Sequence, residues 1–126
     1  MILSLFPDAS RTLLAWAIVH DQGEVAPGDV PYPAKVAEPA LRELVNAIEA
    51  AEIKAQGFDL PNLTEKKQRK LKLCDSLDAW LWMMRHARHL AGREDWIDQR
   101  NRIVDEADWF GIGPEVREII ETEAGR

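Results

Sequence analysis

Cysteine is almost absent from this 126-residue chain: Cys74 stands alone, so no disulfide can form within it. A lone thiol fits a reducing, intracellular compartment. There is no basic excess either. Sixteen Lys and Arg stand against 22 Asp and Glu, a net charge of −6. That makes the chain a poor sequence-independent binder of a DNA or RNA polymer, because such binding needs cations to displace counterions. A small phosphorylated ligand is not excluded, since a bound cation overturns the local field. Long apolar runs are missing: nothing reaches the roughly 18 uncharged residues of a membrane span. The apolar start, Met1 to Pro7, has no basic region and no small-residue cleavage site. The expectation is a cytoplasmic protein with no membrane partner. Seven Gly and seven Pro exclude a collagen-like or low-complexity chain. No stretch alternates with period two, so no strand is expected.

What is present is a globular composition, with 46% hydrophobic and 30% charged residues. The length suits one domain, residues 1–126. Proline and glycine divide it into helical segments, which predicts an all-α bundle of about five helices. A first helix, about Asp8 to His20, has Asp8 or Ser10 as cap and is apolar on nearly every side, the mark of a buried helix. The stretch from Asp21 to Glu38 holds Gly23, Pro27, Gly28, Pro31 and Pro33 and reads as a structured, functional loop. Pro39 opens a second helix that runs to Gln56 before Gly57, with Leu41, Leu44, Val45 and Ile48 as its apolar stripe. A third starts after Thr64 and runs toward Gly92, with Leu73, Leu77, Trp80 and Met84 as one seam. Its length leaves room for an internal break. Two more helices follow, about Glu94–Phe110 and Pro114–Glu123. The core of a functional site falls at about residues 10–92, with C-terminal helices over 93–126.

Chemistry concentrates in and after the first helix. Adjacent His20 and Asp21 can chelate one divalent ion where the backbone turns between them. Glu24 follows Asp21 by three residues, so one turn of chain brings it alongside. Asp29 lies in the Pro/Gly stretch, and Lys35 at its end suits a phosphate. Two carboxylates near a metal can orient an attacking water and protonate a leaving group. Asp75 on the third helix reads two ways: as a costly buried acid that needs a partner or a metal, or as part of an exposed face shared with Asp78. His86 and His89 follow it by eleven and fourteen residues, read as a solvated helix surface. Trp80 and Trp82 flank Leu81 and point to different faces.

Three strings carry a resemblance. They are His20-Asp21-Gln22-Gly23-Glu24, Gly28-Asp29-Val30-Pro31-Tyr32-Pro33-Ala34-Lys35, and Lys72-Leu73-Cys74-Asp75-Ser76-Leu77-Asp78-Ala79. Together they resemble the HDxxE, GDxPxPxK and later Asp-bearing helix of the HD-domain metal-dependent phosphohydrolases, in particular the YfbR-type 5′-deoxynucleotidases and related phage nucleotide hydrolases. The resemblance covers roughly residues 10 to 85. It implies an all-α bundle around one divalent ion (Mn, Co, Fe, Ni, Zn or Mg) and hydrolysis of phosphate from a deoxynucleoside mono- or triphosphate. It assigns His20, Asp21 and Asp75 as metal ligands, Glu24 as the group that activates water, and Asp29 as the donor to the leaving group. One departure stands out. The family's first metal-binding His precedes the HD pair, and none of the 19 residues before His20 is His. Three explanations are open: a start upstream of Met1, a ligand supplied by a partner, or a degenerate relative. Met-Ile-Leu-Ser-Leu-Phe-Pro reads like the end of a buried helix, which favours the first. The rival expectation is a truncated or degenerate HD domain serving as a non-catalytic module, with an exposed apolar N-terminal face that favours a homo-oligomer.

Overall fold

Among the described residues, seven stretches satisfy their backbone hydrogen bonds as α-helices. The computed structural model describes residues 1–28 and 30–126, and only the backbone at Tyr32. Among the described residues the helices are α1 (Ile2–Leu5), α2 (Arg11–Val19), α3 (Tyr32–Ala37), α4 (Pro39–Ala55), α5 (Glu65–His86), α6 (Glu94–Trp109) and α7 (Gly113–Ala124). Two 3₁₀ segments, His20–Val25 and Arg88–Leu90, accompany them, and no strand occurs among these residues. The fold is all-α, as the composition and periodicity require. The helices group into two compact units, one of Ser10–Asn62 and one of Met1–Ala9 with Leu63–Arg126.

In the larger unit, α5 is the central element. Thr64 caps it: its hydroxyl accepts the Lys67 N–H at 3.3 Å. The expected seam is buried throughout, with Leu73, Leu77, Trp80 and Met84 at 2, 0, 4 and 6% exposure. Ile103 and Ala107 of α6 and Val116 and Ile120 of α7 supply the facing apolar surface. Trp82, two residues from Trp80, is 61% exposed and stacks on His86. Cys74 is buried, which pushes its thiol up to about 11 and keeps it from acting as a thiolate near neutrality.

The α5 helix stops at His86, six residues short of the expected glycine stop at Gly92. The reason is a contact distant in sequence. Arg88 donates to the carbonyls of Glu123 at 2.7 Å and Ala124 at 3.3 Å. These are among the last carbonyls of α7, which have no partner within their own helix. Arg85 adds a two-point clamp on the Glu123 carboxylate, at 3.2 and 3.3 Å. The chain therefore leaves α5 where its cations can close the end of α7.

Glu123 is 4% exposed, and the Arg85 guanidinium holds its carboxyl below the usual carboxylate range. A carboxyl depressed in the folded state adds stability above its unfolded pKa, and that stability is lost as pH falls through the folded value. Glu123→Gln is thus expected to melt below the parent at pH 7. The gap should close as the buffer is taken below the pKa of the folded carboxyl. A gap that stays constant over that range would show that the ion pair is not its source.

In the smaller unit, Ser10 caps α2 by accepting the Leu13 N–H at 3.2 Å. The helix is less buried than its all-round apolar character suggests: Leu13 and Val19 are covered, while Ile18 is 78% exposed. The stretch expected as a loop carries secondary structure after all. Pro33 sits in the first turn of α3, where a missing N–H costs nothing, so proline here starts a helix. The α4 helix ends as expected. Gly57, at φ 90°, directs its own N–H to Lys54 O, and the Phe58 N–H reaches Ile53 O. Its apolar stripe is corrected: Val45 and Ile53 are buried, whereas Leu44 and Ile48 are 58 and 38% exposed.

Candidate functional site

The backbone tightens from α-helix to 3₁₀ helix at His20. In a 3₁₀ helix residues i and i+3 lie on one side, so Asp21 and Glu24 share a side of the turn. Three contacts fix that turn. The first is Gly23, whose Cα lies so near α4 that an added Cβ would stand 2.7 Å from Glu49 O and 2.8 Å from Glu49 Cβ. Neither of those atoms can yield, because both belong to the α4 frame. The second is Gln56, whose amide donates to Gln22 O at 3.1 Å and to Glu52 Oε1 at 3.0 Å. The third is the Gly28 N–H, which donates to Glu24 O at 2.7 Å.

His20 is oriented from behind. Its Nδ1 lies 3.1 Å from Trp16 O and 3.0 Å from Ala17 O. Carbonyl oxygens only accept, so Nδ1 carries the proton in this arrangement. Nε2 then faces the Asp21 carboxylate, with Oδ1 at 3.2 Å. A bare nitrogen lone pair against a carboxylate oxygen is repulsive, so Nε2 holds a proton or shares a cation with Asp21. Two ligands at about 2.1 Å from one ion and at right angles to each other stand about 3 Å apart. The His20–Asp21 spacing fits that bite. A carbonyl bond on the remote nitrogen is also the usual way a metal-binding histidine is fixed in one tautomer.

Lys35 projects from α3 toward α4, where its Nζ lies 4.0 Å from Glu49 Oε1. Both side chains are about four-fifths covered, at 21 and 20% exposure. Asp75 lies on α5, in the other unit, and is exposed, as is Asp78. Of the two readings of its neighbourhood, the exposed face is the one observed. Asp29 lies outside the described residues. Thus His20, Asp21 and Glu24 share one turn, and Lys35 meets the helix on which that turn rests. Among the described residues, no three His, Cys, Asp or Glu side chains form a group that could hold a metal ion. The two-donor pair of His20 and Asp21 is what the structure brings together. His86 and His89 are exposed, as expected of a helix surface.

Glu49 and Gln56 were not apparent as site residues from the sequence. A signal for Glu49 exists: it falls in the line Leu41, Val45, Glu49, Ile53, spaced by four along the covered side of α4. A carboxylate in such a line needs a partner, and Lys35 is beside it. Away from this turn, a groove of about 540 Å³ lies along α6 and α7, lined by Arg100, Asn101, Asp105, Arg117 and Glu121 among others. It contains none of the expected site residues. No helix among the described residues is long and apolar enough to cross a membrane. Compared with known proteins, the chain matches no family model, no curated protein and no solved structure.

Proposed function

We propose that this chain is a divalent-metal-dependent phosphohydrolase of the HD-domain kind, acting on nucleotides, with deoxynucleoside mono- or triphosphates as the first substrates to try. The observation that carries the reading is the His20–Asp21 pair: Nδ1 is committed to two carbonyls and Nε2 stands 3.2 Å from the carboxylate. That pairing of an imidazole nitrogen with a carboxylate is what supports a cation site here. A bound divalent ion would supply Lewis-acid polarisation of the phosphoryl group. The chain's own residues do the rest. Glu24 takes a proton from the water whose oxygen forms the new P–O bond. Asp29 gives a proton to the ester oxygen as the old P–O bond breaks. Lys35 holds a phosphate oxygen. The net charge of −6 disfavours a nucleic-acid polymer and leaves room for a small nucleotide held through a bound cation, and the cytoplasm is the compartment proposed.

The test is product formation from a panel of ribo- and deoxynucleotides, with Mn²⁺, Co²⁺ and Mg²⁺ supplied in turn. Phosphate release that needs the metal and stops with chelator is the expected result. No release from any nucleotide with any metal would overturn the reading.

A second reading is a helical interaction module that forms a homo-oligomer. It is supported by the apolar surface of α3 and α4, where Val36, Leu44 and Ile48 are 55, 58 and 38% exposed. No turnover, together with a dimer that Leu44→Glu dissociates, would favour it over the enzyme.

A further inference from the structure

We propose that Glu49 is the positioning residue for Lys35: its carboxylate holds the ammonium in place while leaving the N–H donors of that ammonium for a substrate phosphate. The inference rests on the phosphate-binding role given to Lys35 above.

Four observations lead to it. Glu49 occupies the covered line of α4 otherwise made of Leu41, Val45 and Ile53, where a carboxylate carries a desolvation cost. Its Oε1 is fully buried and accepts no hydrogen bond. The Lys35 ammonium lies 4.0 Å from that oxygen, too far for a hydrogen bond but within the range of an ion pair. The neighbouring carboxylate on the helix, Glu52, already accepts the Gln56 amide at 3.0 Å.

The 4.0 Å spacing bears directly on phosphate binding. A lysine in direct contact with a carboxylate spends a donor that a phosphate must then win back. At 4.0 Å none of the three N–H donors is spent on Glu49. Lysine also has a flexible four-carbon stem, and ordering it costs rotamer entropy on binding. A largely covered carboxylate near the ammonium restricts that freedom beforehand. Gly23 adds the link to the rest of the site. Because it packs on the backbone of Glu49, the same residue that faces Lys35 also seats the turn carrying His20 and Asp21.

The test is binding of inorganic phosphate to the full chain without metal, followed by calorimetry or ³¹P NMR. The parent is compared with Glu49→Gln, Glu49→Asp, Lys35→Ala and the Glu49→Gln/Lys35→Ala double variant. Glutamine keeps the size of the side chain and the backbone on which Gly23 rests. Glu49→Gln is expected to weaken phosphate about tenfold, in the range of one hydrogen bond to a charged group. Glu49→Asp should recover part of the loss. The double variant should bind no more weakly than Lys35→Ala alone, because Glu49 acts only through the lysine. In nucleotide hydrolysis, KM should rise in Glu49→Gln while kcat is kept, a split that general destabilisation does not produce.

Full additivity in the double variant, or phosphate affinity that depends on Lys35 but not on Glu49, would overturn this proposal and leave the phosphohydrolase reading standing. Phosphate affinity that is absent in the parent or indifferent to Lys35 would overturn the role of Lys35 and this proposal with it.

Discussion

Asp21→Asn is expected to reduce metal-dependent nucleotide hydrolysis by at least about 100-fold, beyond the 10–100-fold typical of losing a residue that only supports a ligand. The side chain keeps its shape and loses its charge. A neutral amide oxygen is a weak ligand for a divalent ion, and Nε2 of His20 no longer faces an anion. Metal affinity measured by titration should fall together with the rate. The fold should not suffer. Asp21 is 70% exposed, and a solvent-exposed ion pair contributes only about 0–1 kcal/mol. Circular dichroism and melting temperature of the variant should therefore match the parent. Hydrolysis at the parental rate would place the chemistry elsewhere in the molecule. A variant that neither folds nor melts like the parent would show that the pair is structural.

Leu77→Ala is expected to cost about 2–5 kcal/mol, the range for truncating a fully buried leucine. Leu77 is 0% exposed at the centre of the α5 seam, between Leu73 and Trp80. Truncation removes the transfer energy of its methyl groups and leaves a cavity that helices pinned at their ends cannot collapse. Against a total stability of about 5–15 kcal/mol, that is a large share. Urea unfolding followed by tryptophan fluorescence should show a lower midpoint with an unchanged slope. The same substitution at exposed Leu44 should leave the midpoint nearly where it was, within about 0.5 kcal/mol. A loss below about 1 kcal/mol at Leu77 would mean that the seam is not packed as described.

Local signals explain how much of the fold could be read in advance. Thr64 and Ser10 are helix caps because a side-chain oxygen three residues ahead of an N–H satisfies it wherever the chain goes next. Gly57 ends α4 because that backbone position has φ of 90°, which a side chain resists. The α5 seam was legible because only one spacing places Leu73, Leu77, Trp80 and Met84 together. The same reasoning also separated Trp80 from Trp82. It failed at α4, where Leu41, Leu44, Val45 and Ile48 form one arc and nothing in their spacing says which side will be covered. It failed again at Ile18, whose surroundings in sequence are as apolar as those of Leu13.

The site divides in the same way. His20, Asp21 and Glu24 were candidates from residue type and spacing, and their shared turn is a short-range property of the chain. The residues that seat the turn come from far along it. Gly23 meets Glu49, 26 positions away, and Gln56 meets Gln22, 34 positions away. Neither Glu49 nor Gln56 carries a motif.

Residue order alone therefore settles the helical class, most helix starts, the α5 seam and the presence of a histidine–carboxylate pair. These depend on neighbours within about four residues, where backbone geometry leaves few alternatives. Tertiary structure alone decides which face of α4 is covered and that α5 ends at His86, where Arg85 and Arg88 reach α7. It also decides that Lys35 stands 4.0 Å from a buried oxygen of the Glu49 carboxylate. Each of these outcomes is a choice between partners distant in the chain, made by the burial of apolar surface and the pairing of charge, and no local rule ranks such partners.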